Sequence, residues 1–153
     1  MNPGLAEQAA AWRRDGKTIA LANGLFDILH VGHLRYLEAA ALEADILVVA
    51  VNSDRSAREL KGAGRPLVPE RERVELLAGF RCVDHAVVFD GATVGEVLEA
   101  LRPDVHCKGT DYSPKTVPER GVAERLGIRI AIVGDTKRHA TRDMVARIRG
   151  DQS

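Results

Sequence analysis

ADILVVAVN, residues 44–52, is dominated by apolar and mostly β-branched side chains, with no alternation of apolar and polar positions. A strand with one wet face alternates, whereas a strand covered on both faces does not. This segment therefore reads as a strand buried on both sides, the environment of a parallel sheet with helices on each face. Short apolar runs of the same kind occur on either side of it: KTIALA at 17–22, HAVVF at 85–89, DVHCKG at 104–109 and IRIAIV at 128–133. Helical patterns separate them, at 5–14, 31–43, 69–80, 93–101, 117–126 and 141–149. The helix at 69–80 opens with Pro69 and two glutamates, and the one at 117–126 stops at Gly127. Residues 53–68 are polar, contain Gly62, Gly64 and Pro66, and read as a loop or lid. The expected fold is α/β: a Rossmann-like, doubly wound, five-stranded parallel sheet with right-handed crossovers.

The bulk properties narrow the functional classes. The chain has 153 residues, 45% hydrophobic and 29% charged, which suits one domain with a single core. The expected organisation is one domain over 1–153, with an N-terminal helix within 1–16 and the core over 17–149. Lysine plus arginine and aspartate plus glutamate number 22 each, so the formal net charge is zero. That balance argues against a nucleic-acid partner held by bulk positive charge, and leaves room for a local basic pocket. No apolar run has the length of a membrane span, and the first residues lack the order of a signal peptide. Cys82 and Cys107 are widely spaced and form no CxxC, so buried thiols are expected and not a disulfide or zinc site. A cytoplasmic location follows as the default.

In an open parallel sheet, ligands bind beyond the carboxyl ends of the strands. That rule gathers segments 23–33, 52–66, 108–112 and 134–142 on one face. The most informative of these begins NGLFDILHVGHLRYL, residues 23–37. Asn23 and Gly24 end a strand, and His30 and His33 then bracket Gly32. A spacing of three puts both imidazoles on the same side of a helix's first turn. The helix N-terminus offers free N–H groups and a positive dipole end, and Gly32 allows a phosphate to approach closely. Two imidazoles there can donate to a phosphate whose charge rises during transfer. Two other readings stand beside this one: histidines that merely cap the helix or satisfy core groups, and a zinc pair, which lacks further ligands nearby.

The His-x-Gly-His element after Asn-Gly-x-Phe-Asp resembles the cytidylyltransferase-like branch of the nucleotidyltransferase superfamily. AVNSD at 50–54, LKGAGRPLVP at 60–69, ERERVELLAGFRCVD at 70–84 and KGTDY at 108–112 extend the resemblance over about residues 17–149. Together they are most similar to adenylyltransferase domains of bacterial ADP-heptose synthesis. The resemblance implies transfer of AMP from ATP to a heptose 1-phosphate, with release of pyrophosphate. It implies the nucleotidyltransferase version of the fold, a Mg²⁺ ion bound with the nucleotide, and a homodimer through the region around residues 80–84. No nucleic acid or membrane partner is expected, and no room remains for the sugar-kinase domain fused to some relatives.

Site residues follow from that likeness and from their positions. His30 and His33 are expected to hold the α- and β-phosphates, and Lys61 to arrive on the lid and neutralise the triphosphate. Arg73 matches the place of a phosphate-binding arginine in relatives; a surface ion pair with Glu70 or Glu72 is the plainer reading. Lys108 is a phosphate ligand candidate, and Asp111 an acceptor for a ribose or sugar hydroxyl. Gly109 belongs to the same turn, and Tyr112 packs against it. Asn23, Gly24, Phe26 and Gly32 complete the nucleotide side, with Phe26 also a candidate to pack under the turn. Asp27, Asn52 and Arg65 are assigned to the substrate side. Relatives carry consecutive Ser/Thr residues where this chain has Ala140, Thr141 and Arg142. Thr141 is expected to start a helix that binds phosphate or is simply capped; either Arg142 replaces the missing hydroxyls as a phosphate ligand or the substrate differs from that of relatives. His139 is a loop residue within reach of a nucleobase. A cytidylyltransferase acting on glycerol or polyol phosphate is the alternative enzyme. A catalytically silent nucleotide-binding module is the alternative class. A redox dinucleotide fold is disfavoured because no GxGxxG follows the first strand.

Overall fold

A computed structural model describes residues 4–135 and 141–150, with the side chains of Thr141 and Arg142 outside the description. Five parallel strands form one sheet: β1 (Ile19–Gly24), β2 (Ile46–Asn52), β3 (His85–Phe89), β4 (Val105–Lys108) and β5 (Arg129–Ile132). Their order across the sheet is β3-β2-β1-β4-β5. The expected α/β sheet is therefore present, and all its registered pairs are parallel. β1 is central, and its Ile19, Ala20, Leu21 and Ala22 have no exposed surface.

Successive side chains of a strand face opposite sides, so each buried strand feeds two cores. On one side Ile19, Leu21, Val48 and Ala50 pack with α1 (Gly4–Arg14), α5 (Gly95–Leu101) and α6 (Arg120–Leu126). On the other, Ala20, Ala22, Val49 and Val51 pack with α2 (Val31–Ala41) and α4 (Glu70–Ala78). α7 (Thr141–Ile148) closes the chain, so a helix does begin at Thr141.

Carboxylates finish the amino edge of the sheet. Asp45 accepts from the Thr18 N–H at 2.9 Å, Asp104 from Ile19 at 2.8 Å and Asp84 from Leu47 at 2.8 Å. The carboxyl edge is different. There the strand order reverses between β1 and β4, and the loops splay to either side of a crevice.

One element departs from the sequence reading. Residues Asp54–Lys61 form helix α3 and not a loop. Ser53 caps it by accepting the Ser56 N–H, Asp54 sits in the first turn, and Gly62 ends it at φ 92°. The Ser-Asp start and the Gly stop were both in the sequence. Its polar composition masked them, because this helix buries little beyond Ser56 and Ala57. The loop proper begins at Gly62. Other helix ends shift by a few residues, as end fraying allows; α6, expected from 117, starts at Arg120.

Candidate active site

The crevice opens into a cavity of about 610 Å³ at the carboxyl edge of the sheet. All four segments gathered by the sequence reading contribute to its wall. Asn23 through Asp27 come from the end of β1, and His30, Gly32, His33 and Tyr36 from α2. Asn52 comes from β2, Lys61 from the end of α3 and Arg65 from the loop after it. Lys108 through Tyr112 follow β4, and Val133, Gly134 and Asp135 follow β5.

The two histidines share one side of the first helical turn, with ring centroids 4.1 Å apart and planes 35° from parallel. His30 is the N-cap of α2, in extended backbone. Its Nδ1 accepts the Gly32 N–H at 3.1 Å, and the His33 Nδ1 accepts the His30 N–H at 3.2 Å. This is a capping box built from two imidazoles. It revises one expectation: the N–H groups of His30 and Gly32 are not left open for an anion but are taken by the rings. The capping reading and the functional reading are then the same geometry. A ring whose Nδ1 accepts a backbone N–H carries its proton on Nε2 when neutral. Each imidazole thus passes the positive end of the helix outward to an Nε2–H donor.

Phe26 sits beneath this pair. Its ring is 4% exposed, lies 5.4 Å from the His33 ring, and occupies a left-handed backbone position at φ 52°. Gly24 makes that possible, since a Cβ there would lie 3.2 Å from the Phe26 ring. Phe26 therefore packs under the turn and supports His33. Gly134 plays a similar part after β5: at φ +94° it passes 3.3 Å from the Tyr36 Cα, measured from the Cβ it lacks.

Four expected ligands have other employment. Arg73 is fully buried and absent from the cavity wall. Its Nε donates to the Val68 carbonyl at 2.8 Å, Nη1 to the Leu25 carbonyl at 2.6 Å and Nη2 to Asp54 at 2.9 Å. A phosphate has no path to it; Arg73 ties β1's outgoing turn to α3 and the lid loop. The alternative surface pairing with Glu70 or Glu72 is equally absent, because Asp54 is its partner. Asp27 lines the cavity but is 3% exposed. Its carboxylate accepts from Leu67 N, Val68 N and the Arg65 Nε, all within 3.0 Å. Burial would raise its pKa, but the Leu67 and Val68 N–H groups and the Arg65 guanidinium together hold it below the ordinary value. Asp27 and Arg65 thus anchor the loop after α3. Asn52 is also engaged, its Nδ2 donating to Ser56 Oγ at 3.2 Å.

Lys108 is 8% exposed, with Nζ 4.5 Å above the Tyr112 ring. Asp111 stands exposed on the same wall. Thr141 heads α7 as expected, but its side chain, that of Arg142, and all of His139 and Ala140 lie outside the described residues. Among the described residues no group of three or more His, Cys, Asp or Glu is arranged to hold a metal.

Three wall or support residues escaped the sequence reading. Tyr36 donates to the Cys107 carbonyl at 2.7 Å, and burial raises its pKa so that it remains a donor. Its position three residues after His33 on one helix face was a usable signal. His106, without exposed surface, lies 2.9 Å from Asn23 Oδ1 through Nε2 and orients that wall residue. Glu119 comes from the loop before α6 and nothing in its neighbourhood of the sequence marked it.

The cytidylyltransferase-like family model matches residues 21–143 of the chain. "Bifunctional protein HldE" of Syntrophotalea carbinolica is 45% identical over 136 residues, covering 89% of this chain and 28% of that protein. The protein of the same name from Koribacter versatilis is 49% identical over 129 residues, 84% of this chain and 26% of that one. The chain therefore spans less than a third of the length of these relatives. Among solved structures, a lipopolysaccharide core biosynthesis protein from Thermoplasma volcanium matches at TM-score 0.68 and 26% identity, covering 80% of this chain and all of that one. Among the described residues, no helix is long and apolar enough to cross a membrane.

Proposed function

We propose that this chain, which belongs to the cytidylyltransferase-like family and is a nucleotidyltransferase enzyme, transfers AMP from ATP to a heptose 1-phosphate, giving ADP-heptose and pyrophosphate. The observation that carries this reading is the imidazole pair lining a cavity at the reversal of strand order. Sequence likeness to adenylyltransferase domains of ADP-heptose synthesis, and to proteins named HldE, supports the choice of nucleotide and acceptor.

An acceptor phosphate oxygen attacks the α-phosphorus in line, the bond to the bridging oxygen breaks, and pyrophosphate leaves. The attacking oxygen is already anionic, so alignment and charge stabilisation replace a general base. His30 and His33 donate through Nε2–H to phosphate oxygens as charge builds on them. Lys61, exposed on the last turn of α3, and Lys108 neutralise the phosphates, while Arg142 stands in for the absent hydroxyls beside Thr141. Asp111 accepts from a ribose or sugar hydroxyl. Asn23, Gly24, Gly32 and Gly109 shape the nucleotide's bed, and Asn52 faces the acceptor. Arg65 and Asp27 act by fixing the loop that follows Lys61.

A Mg²⁺ ion would fit as a companion of the triphosphate, a role that asks for no protein cage. The exposed carboxylates of Asp111 and Asp135 on the wall suit its water ligands. Its chemistry would be to offset phosphate charge. The proposed dimer would use the region of Phe80, which with Leu29, Val31 and Leu34 lines an apolar hollow; sedimentation of the free chain tests it. The cytoplasm is the proposed location.

The deciding assay is pyrophosphate release from ATP and from CTP, each with heptose 1-phosphate and with glycerol phosphate. Release from ATP with heptose 1-phosphate is expected. Activity only with CTP and glycerol phosphate transfers the assignment to a cytidylyltransferase, and no release with any acceptor leaves a silent nucleotide-binding module.

A further inference from the structure

We infer that Glu119 receives a hydroxyl of the acceptor and so selects a polyhydroxylated body over a plain phosphate. The inference rests on the transfer reaction proposed above.

Glu119 stands at the N-cap of α6 but makes no side-chain cap there. Its carboxylate instead reaches to α5, where Oε1 accepts the Val94 N–H at 3.2 Å. The residue is 4% exposed, and Oε2 is buried without a hydrogen-bond partner among the described residues. A buried carboxylate oxygen that pairs with nothing is costly, and folded proteins keep few of them. Glu119 also lines the cavity, as do the uncharged Thr93, next in the chain to its Val94 contact, and Pro118, next in the chain to Glu119 itself. An acceptor oxygen in such a wall calls for a donor, and a phosphate oxygen would be repelled by it. A neutral hydroxyl satisfies it.

Glu119 and the imidazoles reach the cavity from elements on opposite faces of the sheet. Val94 and Ala123, which flank the Glu119 contact, pack in the core beneath α1, α5 and α6. The imidazoles ride on α2, over the opposite face of the sheet. An in-line displacement places the attacking group and the leaving pyrophosphate on opposite sides of the reacting phosphorus. With the β-phosphate of the leaving group held at His30 and His33, the acceptor's body falls towards Glu119.

The test is kinetic, on the full chain. Glu119→Gln keeps an oxygen for the Val94 N–H and turns the unpaired acceptor into a donor. KM for heptose 1-phosphate should rise about tenfold to a hundredfold, the range for a hydrogen bond to a charged group. KM for ATP and the melting temperature should stay put. Removing the matching hydroxyl from the acceptor should cost the wild type a similar factor and cost the variant nothing further. Equal rises for ATP and acceptor, no rise for either, or a change in melting temperature alone would overturn the inference and return Oε2 to the fold or a buried water. Should the variant not fold, the deoxy acceptors decide on the wild type: undiminished kcat/KM for every one of them also overturns it. A wild type that releases no pyrophosphate with any acceptor defeats the parent reading and takes this with it; normal wild-type transfer with an indifferent E119Q defeats this one alone.

Discussion

His33 folds back on His30: its Nδ1 accepts the His30 backbone N–H at 3.2 Å while the two rings lie 4.1 Å apart. Capping and the proposed phosphate contact therefore fall to the same side chains, and substitutions can part them. His30→Ala should cost about 1 kcal/mol of stability through the lost cap, and turnover should fall by about a hundredfold or more through the lost donor. His30→Asn restores an oxygen cap without an Nε2–H, so stability should return and turnover should not. Recovery of turnover in that variant would remove the imidazole from the mechanism. His33→Ala should show the same loss of turnover in a folded protein.

Arg73 is a structural cation. Three backbone and side-chain oxygens depend on it, and its side chain has no exposed surface. Arg73→Met should destabilise the fold by about 2 kcal/mol or more, because the Leu25 and Val68 carbonyls lose their donor. Urea titration reads this directly. An arginine serving nucleotide instead would give a variant of unchanged stability and weakened ATP binding.

Lys61 makes the opposite prediction. It is exposed at the mouth of the cavity and ends α3. Lys61→Ala should leave the melting temperature unchanged and lower kcat/KM for ATP by about tenfold to a hundredfold, as for one lost contact to developing charge. Unchanged kinetics would return Lys61 to the solvated surface.

Acid should destabilise the protein through two overlapping windows, His106 opening the first at higher pH and Asp27 the second at the acid end. Burial, and secondarily the charge of Lys108, push His106 from 6.5 down to about 3. The unfolded chain takes up this proton first, so stability falls as pH drops from 6.5 towards 3. Asp27 has a folded pKa below its ordinary 3.8. Its contribution is present above that value and disappears as pH falls through the lower, folded one. His106→Gln should flatten the first decline and leave the second, whereas Asp27→Asn should flatten the second. Unfolding free energies at about pH 7, 5 and 3 distinguish them; a His106→Gln slope equal to the wild type between the first two would refute the assignment.

The sheet and the mouth of the site were legible because each is written locally. Val48, Val49, Ala50 and Val51 without polar alternation require cover on two faces. His30 and His33 at a spacing of three must share a side once a helix starts there. Helix α3 was missed because its signals were a cap and a glycine, without an apolar face to reinforce them.

Long-range pairings had no local record. Arg73 and Lys61 are both cations beside the same loop, yet one is sealed against Asp54 and the carbonyls of Leu25 and Val68 while the other reaches the cavity. Glu119 and Val94 meet only because α5 and α6 lie side by side over one face of the sheet. The sequence by itself determined which segments would be strands, and that two imidazoles would stand together on the first turn of a helix at the sheet's carboxyl edge. The tertiary structure decided which charged side chains are spent on the fold and which remain for a ligand, since burial and partner depend on residues distant in the chain and no local pattern encodes them.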